Sequence, residues 1–220
     1  MSRKELSIGA VAQCRITTAR CARAAGRDCL ARQRIISSRM TEIVTERLTL
    51  RPLTVEDLEW IAAFRGDADI MRYIGTAGPM TFEQSRERLD RYVACWAERG
   101  LGMFGVRELG RDASIGWAGL QPLDGTEEIE VGYAFGKAAW GRGIATEAAR
   151  AVVRWGFEDL ALKRIVAIAY PENDASRRVM QKLGMRHEEM RLVHGVESVY
   201  YSLTPHQFNE RASSRETSQL

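Results

Sequence analysis

Trp140-Gly141-Arg142-Gly143-Ile144-Ala145-Thr146-Glu147 joins a strand-like run, Ile129–Phe135, to a strongly helical run that continues to about Leu160. Glycines at 141 and 143 let consecutive backbone N–H groups turn toward one spot without Cβ interference. The helix that follows aims its unsatisfied first donors and the positive end of its dipole at the same spot. Such a turn suits an anionic group, a phosphate above all. Backbone physics alone equally allows a tight corner between strand and helix, so the flanking chain has to decide.

Downstream, the helix Thr146–Leu160 leads to an apolar strand, Arg164–Tyr170, which Pro171 stops. Another helix opens at Asn173 or Asp174 and closes at Gly184, a residue suited to the left-handed position after a helix. Strands at Arg186–Val193 and Glu197–Leu203 follow. Upstream, Thr45–Pro52 reads as the first strand, with Leu48 and Leu50 alternating against Arg47, Thr49 and Arg51. Thr54-Val55-Glu56-Asp57 is an N-cap with an acidic first turn, and Leu58, Ile61, Ala62 and either Phe64 or Arg65 form the buried side of its helix. Thr81 with Gln84 makes a capping box for a helix that runs to about Glu98. Asp67–Pro79, between these two helices, is either an ordinary connection or the rim of a substrate mouth. Met103–Leu109 and Ser114–Leu120 pair through the turn Gly110-Arg111-Asp112, and Glu127–Phe135 comes next. An antiparallel meander followed by a β-α-β crossover is an α+β pattern of three layers at most.

Composition narrows the class. At 220 residues and 45% hydrophobic content the chain suits one sizeable domain with a real core. Its net charge of +3 is uneven: residues 1–40 hold nine Lys/Arg against two acids, or +7, which leaves −4 for the remainder. That mildly acidic body argues against nucleic acid as a partner, because a basic face supplies the affinity in such domains. Residues 1–40 read as a basic, disordered extension. They are a targeting peptide, an arm for an acidic partner or, the favoured reading, sequence upstream of a true start at Met40. The domain proper is expected over 41–208, with a flexible tail at 209–220. Three of the four cysteines lie in the extension, so the body holds only Cys95 and no disulfide framework, which fits a reducing, cytoplasmic setting. No stretch approaches the roughly 20 apolar residues that span a bilayer, so no membrane partner is expected. His187, His194 and His206 lack metal-ligand spacing, and no metal is expected.

The meander, the W-G-R-G-I-A-T-E-A turn, the strand Arg164–Tyr170 and then N-x-x-S-R-R-V-M-Q-K-L-G-M from Asn173 resemble, in that order, the GCN5-related N-acetyltransferase (GNAT) superfamily. The opening T-E-R-L-T-L-R-P-L at 45–53 is similar to the first strand of its ribosomal-protein N-terminal acetyltransferase (RimJ/RimL-like) branch. The resemblance covers about residues 43–208. It implies a GNAT-type three-layer α/β/α fold, with a mixed, mostly antiparallel sheet of about seven strands around a β-α-β cofactor-binding core. It also implies acetyl-coenzyme A as co-substrate, with the pyrophosphate on backbone N–H groups around Arg142–Ala145. The cofactor site would comprise Trp140, Gly141, Arg142, Gly143, Ile144, Ala145, Thr146 and Asn173. In the superfamily signature Q/R-x-x-G-x-G/A, Trp140 stands where Gln or Arg is usual, a substitution familiar in this branch, and Gly143 and Ala145 match.

The implied reaction moves an acetyl group from a thioester to a primary amine by direct attack in a ternary complex. It requires a deprotonated amine, a thioester at near-attack distance, and stabilised charge on oxygen and sulfur. Glu130, in E-V-G-Y-A-F just before the turn, is the candidate base. Alternation puts it with Gly132 and Ala134 on one strand face, opposite Val131, Tyr133 and Phe135; Glu128 shares its face and is the alternative. Many superfamily members carry a tyrosine seven residues after the Asn of the last motif, but here that position is Met180. In this branch a serine three after the Asn meets the thiolate, which points to Ser176, with Asn173 holding the pantetheine or sulfur region. Both types also suit a plain helix start. The acceptor is a protein N-terminus or a small-molecule amine, and the chain is a monomer or a homodimer; the sequence decides neither. Two other classes compete. One is a catalytically weak or inactive coenzyme A-binding regulatory module. The other is a P-loop nucleotide binder, which lacks the Gly-Lys-Ser/Thr it would need.

Overall fold

The computed structural model of the protein describes residues 41–75, 78–123, 126–193 and 195–216, and the basic segment 1–40 lies outside them. In order they form β1 (Ile43–Val44), β2 (Leu48–Pro52), a 3-10 turn (Val55–Asp57) running into α1 (Leu58–Arg65), α2 (Ala68–Met71), α3 (Phe82–Arg99), β3 (Met103–Glu108), β4 (Ser114–Pro122) and β5 (Ile129–Phe135). Then come α4 (Ile144–Glu158), β6 (Ile165–Ala169), α5 (Asp174–Leu183), β7 (Arg186–Val193), β8 (Val196–Leu203) and α6 (Pro205–Glu216). One sheet holds all the strands in the order β1-β2-β3-β4-β5-β6-β8-β7. Neighbours run antiparallel except β5 and β6, which α4 connects and which are parallel. The sheet has eight strands rather than seven. The extra one, β1, pairs Ile43 with Leu50 and Val44 with Thr49 and is too short for alternation to reveal.

Side-chain alternation sorts the core onto both faces. Leu48, Leu50, Phe104, Val106, Ala118, Leu120 and Val131 turn to one side, where α4 and α5 bring Ala148, Val152, Trp155, Met180 and Leu183. Leu53, Met103, Trp117 and Ala134 turn to the other, against Ile61 of α1 and Leu89 and Tyr92 of α3. Each fully buried aliphatic or aromatic side chain contributes about 1.5–3 kcal/mol, so both layers hold the sheet. In α1, Ile61 and Arg65 are the buried residues, four apart on one helix face. Of the two candidates for that position, the arginine is the one inside. Among the described residues no helix is long and apolar enough to cross a membrane.

Several boundaries differ from expectation: the first strand opens at Leu48 rather than Thr45, and α2 forms inside the 67–79 connection. The helix after the glycine turn starts at Ile144, two residues before Thr146, because Gly143 takes the cap position with φ +79° and Ile144 is only 1% exposed. Where a flexible tail was expected from residue 209, α6 continues to Glu216. Its start is held by a reciprocal cap, in which the Thr204 amide donates to Gln207 Oε1 at 2.9 Å and the Gln207 amide to Thr204 Oγ1 at 3.5 Å. Phe208 is buried edge-on to Phe157, with ring centres 5.7 Å apart.

One break in the sheet positions everything that follows. β5 and β6 share a single register pair, Glu130 with Val166. Beyond it the strands part toward their carboxyl ends, the side of an open α/β sheet where ligands bind.

Candidate active site

The parting of β5 and β6 opens a cavity of about 420 Å³ that takes lining from both faces of β5, Glu130 from one and Tyr133 from the other. Trp140, Ala145, Asn173 and Ser176 line it too. Five residues singled out from the sequence therefore meet at one cleft. Trp140 is half-exposed and anchored by its indole N–H, which donates to the Phe135 carbonyl at 2.7 Å.

The glycine turn stands at the mouth of α4. Gly141 and Gly143 have φ +73° and +79°, in the left-handed region that glycine adopts at least cost. The first helical bond runs from the Glu147 amide to the Gly143 carbonyl at 3.0 Å. The amides of Ile144, Ala145 and Thr146 are thus the free first donors of a 15-residue helix. A Cβ on Gly141 would meet nothing within 4 Å, so the turn is open to solvent there. These residues fit a pyrophosphate. The Ile144 side chain goes to the core, so only its backbone serves the turn. Arg142 turns aside: its Nη2 pairs with Glu108 Oε1 at 2.5 Å and its Nη1 donates to the Ala138 carbonyl at 3.3 Å.

A clamp that sequence reading passed over holds this turn. Glu147 Oε1 accepts from Thr45 Oγ1 (2.6 Å) and the Arg47 amide (3.0 Å), and Oε2 accepts from Arg47 Nε (2.7 Å). Arg47 Nη1 then donates to the Arg142 carbonyl at 3.1 Å. Burial alone would raise the Glu147 pKa, but these donors outweigh it and hold the carboxyl below its ordinary range. The T-E-R of 45–47 and the T-E of 146–147 were the available signal, about 100 residues apart.

The two candidate bases separate. Glu130 is 9% exposed and accepts a short hydrogen bond from Gln121 Nε2, its register partner on β4. Glu128 does not line the cavity. It accepts from the Tyr200 hydroxyl and, at 2.8 Å, from Arg191 Nη1. Burial works against its charge, yet those two donors keep its pKa lowered, which makes it a weak proton acceptor. Tyr200 and Tyr201 are both buried, and neither lines the cavity.

On the opposite face, Asn173 caps α5, its Oδ1 accepting from the Ser176 amide at 3.1 Å. Tyr133 completes the group. Its hydroxyl donates to the Ser176 carbonyl at 3.1 Å and lies 3.0 Å from Ser176 Oγ. Burial pushes the Tyr133 phenol far above its usual range, so it keeps its proton at neutral pH. Sequence reading placed Tyr133 on a face but gave it no partner.

Part of the 67–79 segment, namely Ile70, Tyr73, Ile74 and Gly75, lines the cavity rather than merely connecting helices. It is tied down at both ends. Lys137 pairs with Asp67 and Asp69 at 3.2 and 2.6 Å, and the Tyr170 hydroxyl donates to the Gly75 carbonyl at 3.0 Å.

Known proteins resemble this chain in sequence and fold. The model of the acetyltransferase (GNAT) domain matches residues 47–186. The chain is 33% identical over 146 residues to the uncharacterized N-acetyltransferase YnaD of Bacillus subtilis, covering 66% of this chain and 83% of that one. It is 30% identical over 155 residues to the FsC-acetyl coenzyme A-N(2)-transacetylase of Aspergillus fumigatus, covering 66% and 65%. Its fold superimposes with a TM-score of 0.63 on a GNAT-family acetyltransferase from Bacillus anthracis, at 30% identity over 74% of this chain and 98% of that one. The chain belongs to the GNAT acetyltransferase family. It is an N-acetyltransferase, of a family that uses acetyl-coenzyme A.

Proposed function

We propose that the protein acetylates a primary amine, on a protein N-terminus or a small molecule, by direct attack within this cleft. Acetyl-coenzyme A supplies, when bound, an acetyl group activated as a thioester. Backbone amides of the turn at 141–146 take its pyrophosphate, and Asn173 holds the arm leading to the sulfur. Glu130 accepts the proton that the amine loses as the new C–N bond forms and the C–S bond breaks. Ser176 Oγ, held in place by Tyr133 and Asn173, donates a hydrogen bond to the departing thiolate, which takes up a proton from solvent to leave as the thiol while Glu130 returns its proton to solvent. The carrying observation is that Glu130 and Ser176, on opposite faces of β5, line one cavity beside the turn. The motif at 45–53 supports the RimJ/RimL-like branch.

Thiol release from acetyl-coenzyme A with a panel of primary amines tests this reading. The expected result is amine-dependent release that falls in Glu130→Gln and Ser176→Ala. Thermal stabilisation by acetyl-coenzyme A with no release from any amine would instead identify a coenzyme A-binding module.

A further inference from the structure

The wall of the cavity beyond Glu130 is basic, and the rest of the protein does not account for it. Arg65, at the end of α1, is 1% exposed. Its Nη2 donates to the Tyr92 hydroxyl at 2.7 Å, and its Nη1 lies 3.5 Å from Met80 Sδ, a weak acceptor. Its Nε is buried with no partner. The guanidinium carbon stands 5.6 Å from the centre of the Tyr92 ring and 5.5 Å from that of Trp117. Among the described residues its hydrogen bonds reach no carboxylate. Arg88 of α3 lines the same cavity, its Nε likewise buried and unpartnered.

A buried guanidinium without an anion is expensive, and two aromatic faces offset only part of that cost. A general positive field is no explanation, since residues 41–220 carry a net −4. Position supplies the rest. Trp117, which packs against Arg65, would lie 3.4 Å from a Cβ placed on Gly132. It therefore stands on the Glu130 face of β5, two residues along the strand. Glu130 is the one carboxylate among the described residues that line the cavity. An acceptor whose amine approaches Glu130 thus has two guanidinium groups within the same chamber.

We propose that this wall selects acceptors that carry an anionic group with the amine, a small amino-carboxylic acid in the first instance, over polyamines. The inference rests on the transfer reaction proposed above and names its acceptor class. Arg65 supplies the buried charge that a carboxylate completes, and Arg88 reinforces it.

The test is thiol release from acetyl-coenzyme A with matched pairs at equal free-amine concentration: glycine, β-alanine, 4-aminobutyrate, leucine and phenylalanine, each beside its carboxamide, and spermidine. The expected result is that the best substrate is an acid, with kcat/KM at least tenfold above its own carboxamide and mostly through KM. Arg65→Gln and Arg88→Gln should bring that ratio toward one while leaving the acetyl-coenzyme A Kd unchanged. Should Arg65→Gln fail to fold, the ratio in the unaltered protein and in Arg88→Gln decides alone. A ratio near one in the unaltered protein, or spermidine above every acid, overturns this inference and leaves the transfer reading intact. Absence of release from all amines overturns the transfer reading itself.

Discussion

Glu130 and Asp57 illustrate two uses of a buried carboxylate. Glu130 lines the cavity as the proposed base, and general bases typically contribute 10²–10⁴-fold. Glu130→Gln should therefore lower kcat about 100-fold at pH 7, with the deficit shrinking above about pH 9 as the amine loses its proton unaided. An equal loss across a pH–rate profile would remove the base role. Asp57, 2% exposed, is structural. It accepts from Arg51 (Nη1 at 3.0 Å), the Thr54 amide (2.8 Å) and Trp60 Nε1 (2.8 Å). Burial opposes its charge, but these donors outweigh burial and lower its pKa. A lowered folded pKa contributes stability that is fully present above the unfolded value of about 3.9 and is lost as pH falls through the folded one. Asp57→Asn should cost about 3 kcal/mol at pH 7 by urea unfolding, and progressively less as pH falls through the lowered folded pKa. Among single residues, Asn173 and Ser176 were legible because a motif carries them. Arg65 and Tyr133 were not. Hydrophobic periodicity does not favour an arginine over a neighbouring phenylalanine as the buried residue, and the Tyr133–Ser176 contact joins residues 43 apart.

At the scale of elements, the glycine turn works because three pieces converge on it: the end of β5, the start of α4 and the Thr45–Arg47 corner. Gly143 needs its positive φ, and a Cβ there would lie 3.6 Å from Arg47 Nη2. Gly143→Val should thus raise the acetyl-coenzyme A Kd at least tenfold by titration calorimetry, since it strains the turn and crowds the amides. Unchanged affinity in a folded variant would contradict the cradle. Most elements were readable from alternation, caps and turn glycines, including the Thr81–Gln84 box, whose reciprocal bonds measure 2.9 and 3.2 Å. What escaped were short elements and capped ends: β1, α2, the first turn of α4, and α6. There a few contacts across the fold outweigh the local pattern.

For the whole molecule, the decisive feature is the parting of β5 and β6 after one shared pair. No local signal encodes it, because each strand is a good strand by itself; it arises where the parallel crossover meets the antiparallel meander. The gap brings groups from both sheet faces to one cavity, and in the proposed reaction donor and acceptor share it. Initial-velocity kinetics test that claim most directly, with acetyl-coenzyme A and the best amine of the panel varied together. Direct attack in a ternary complex predicts double-reciprocal lines that intersect, with no acetyl group left on the protein. Parallel lines, together with an acetylated protein formed in the absence of amine, would contradict it.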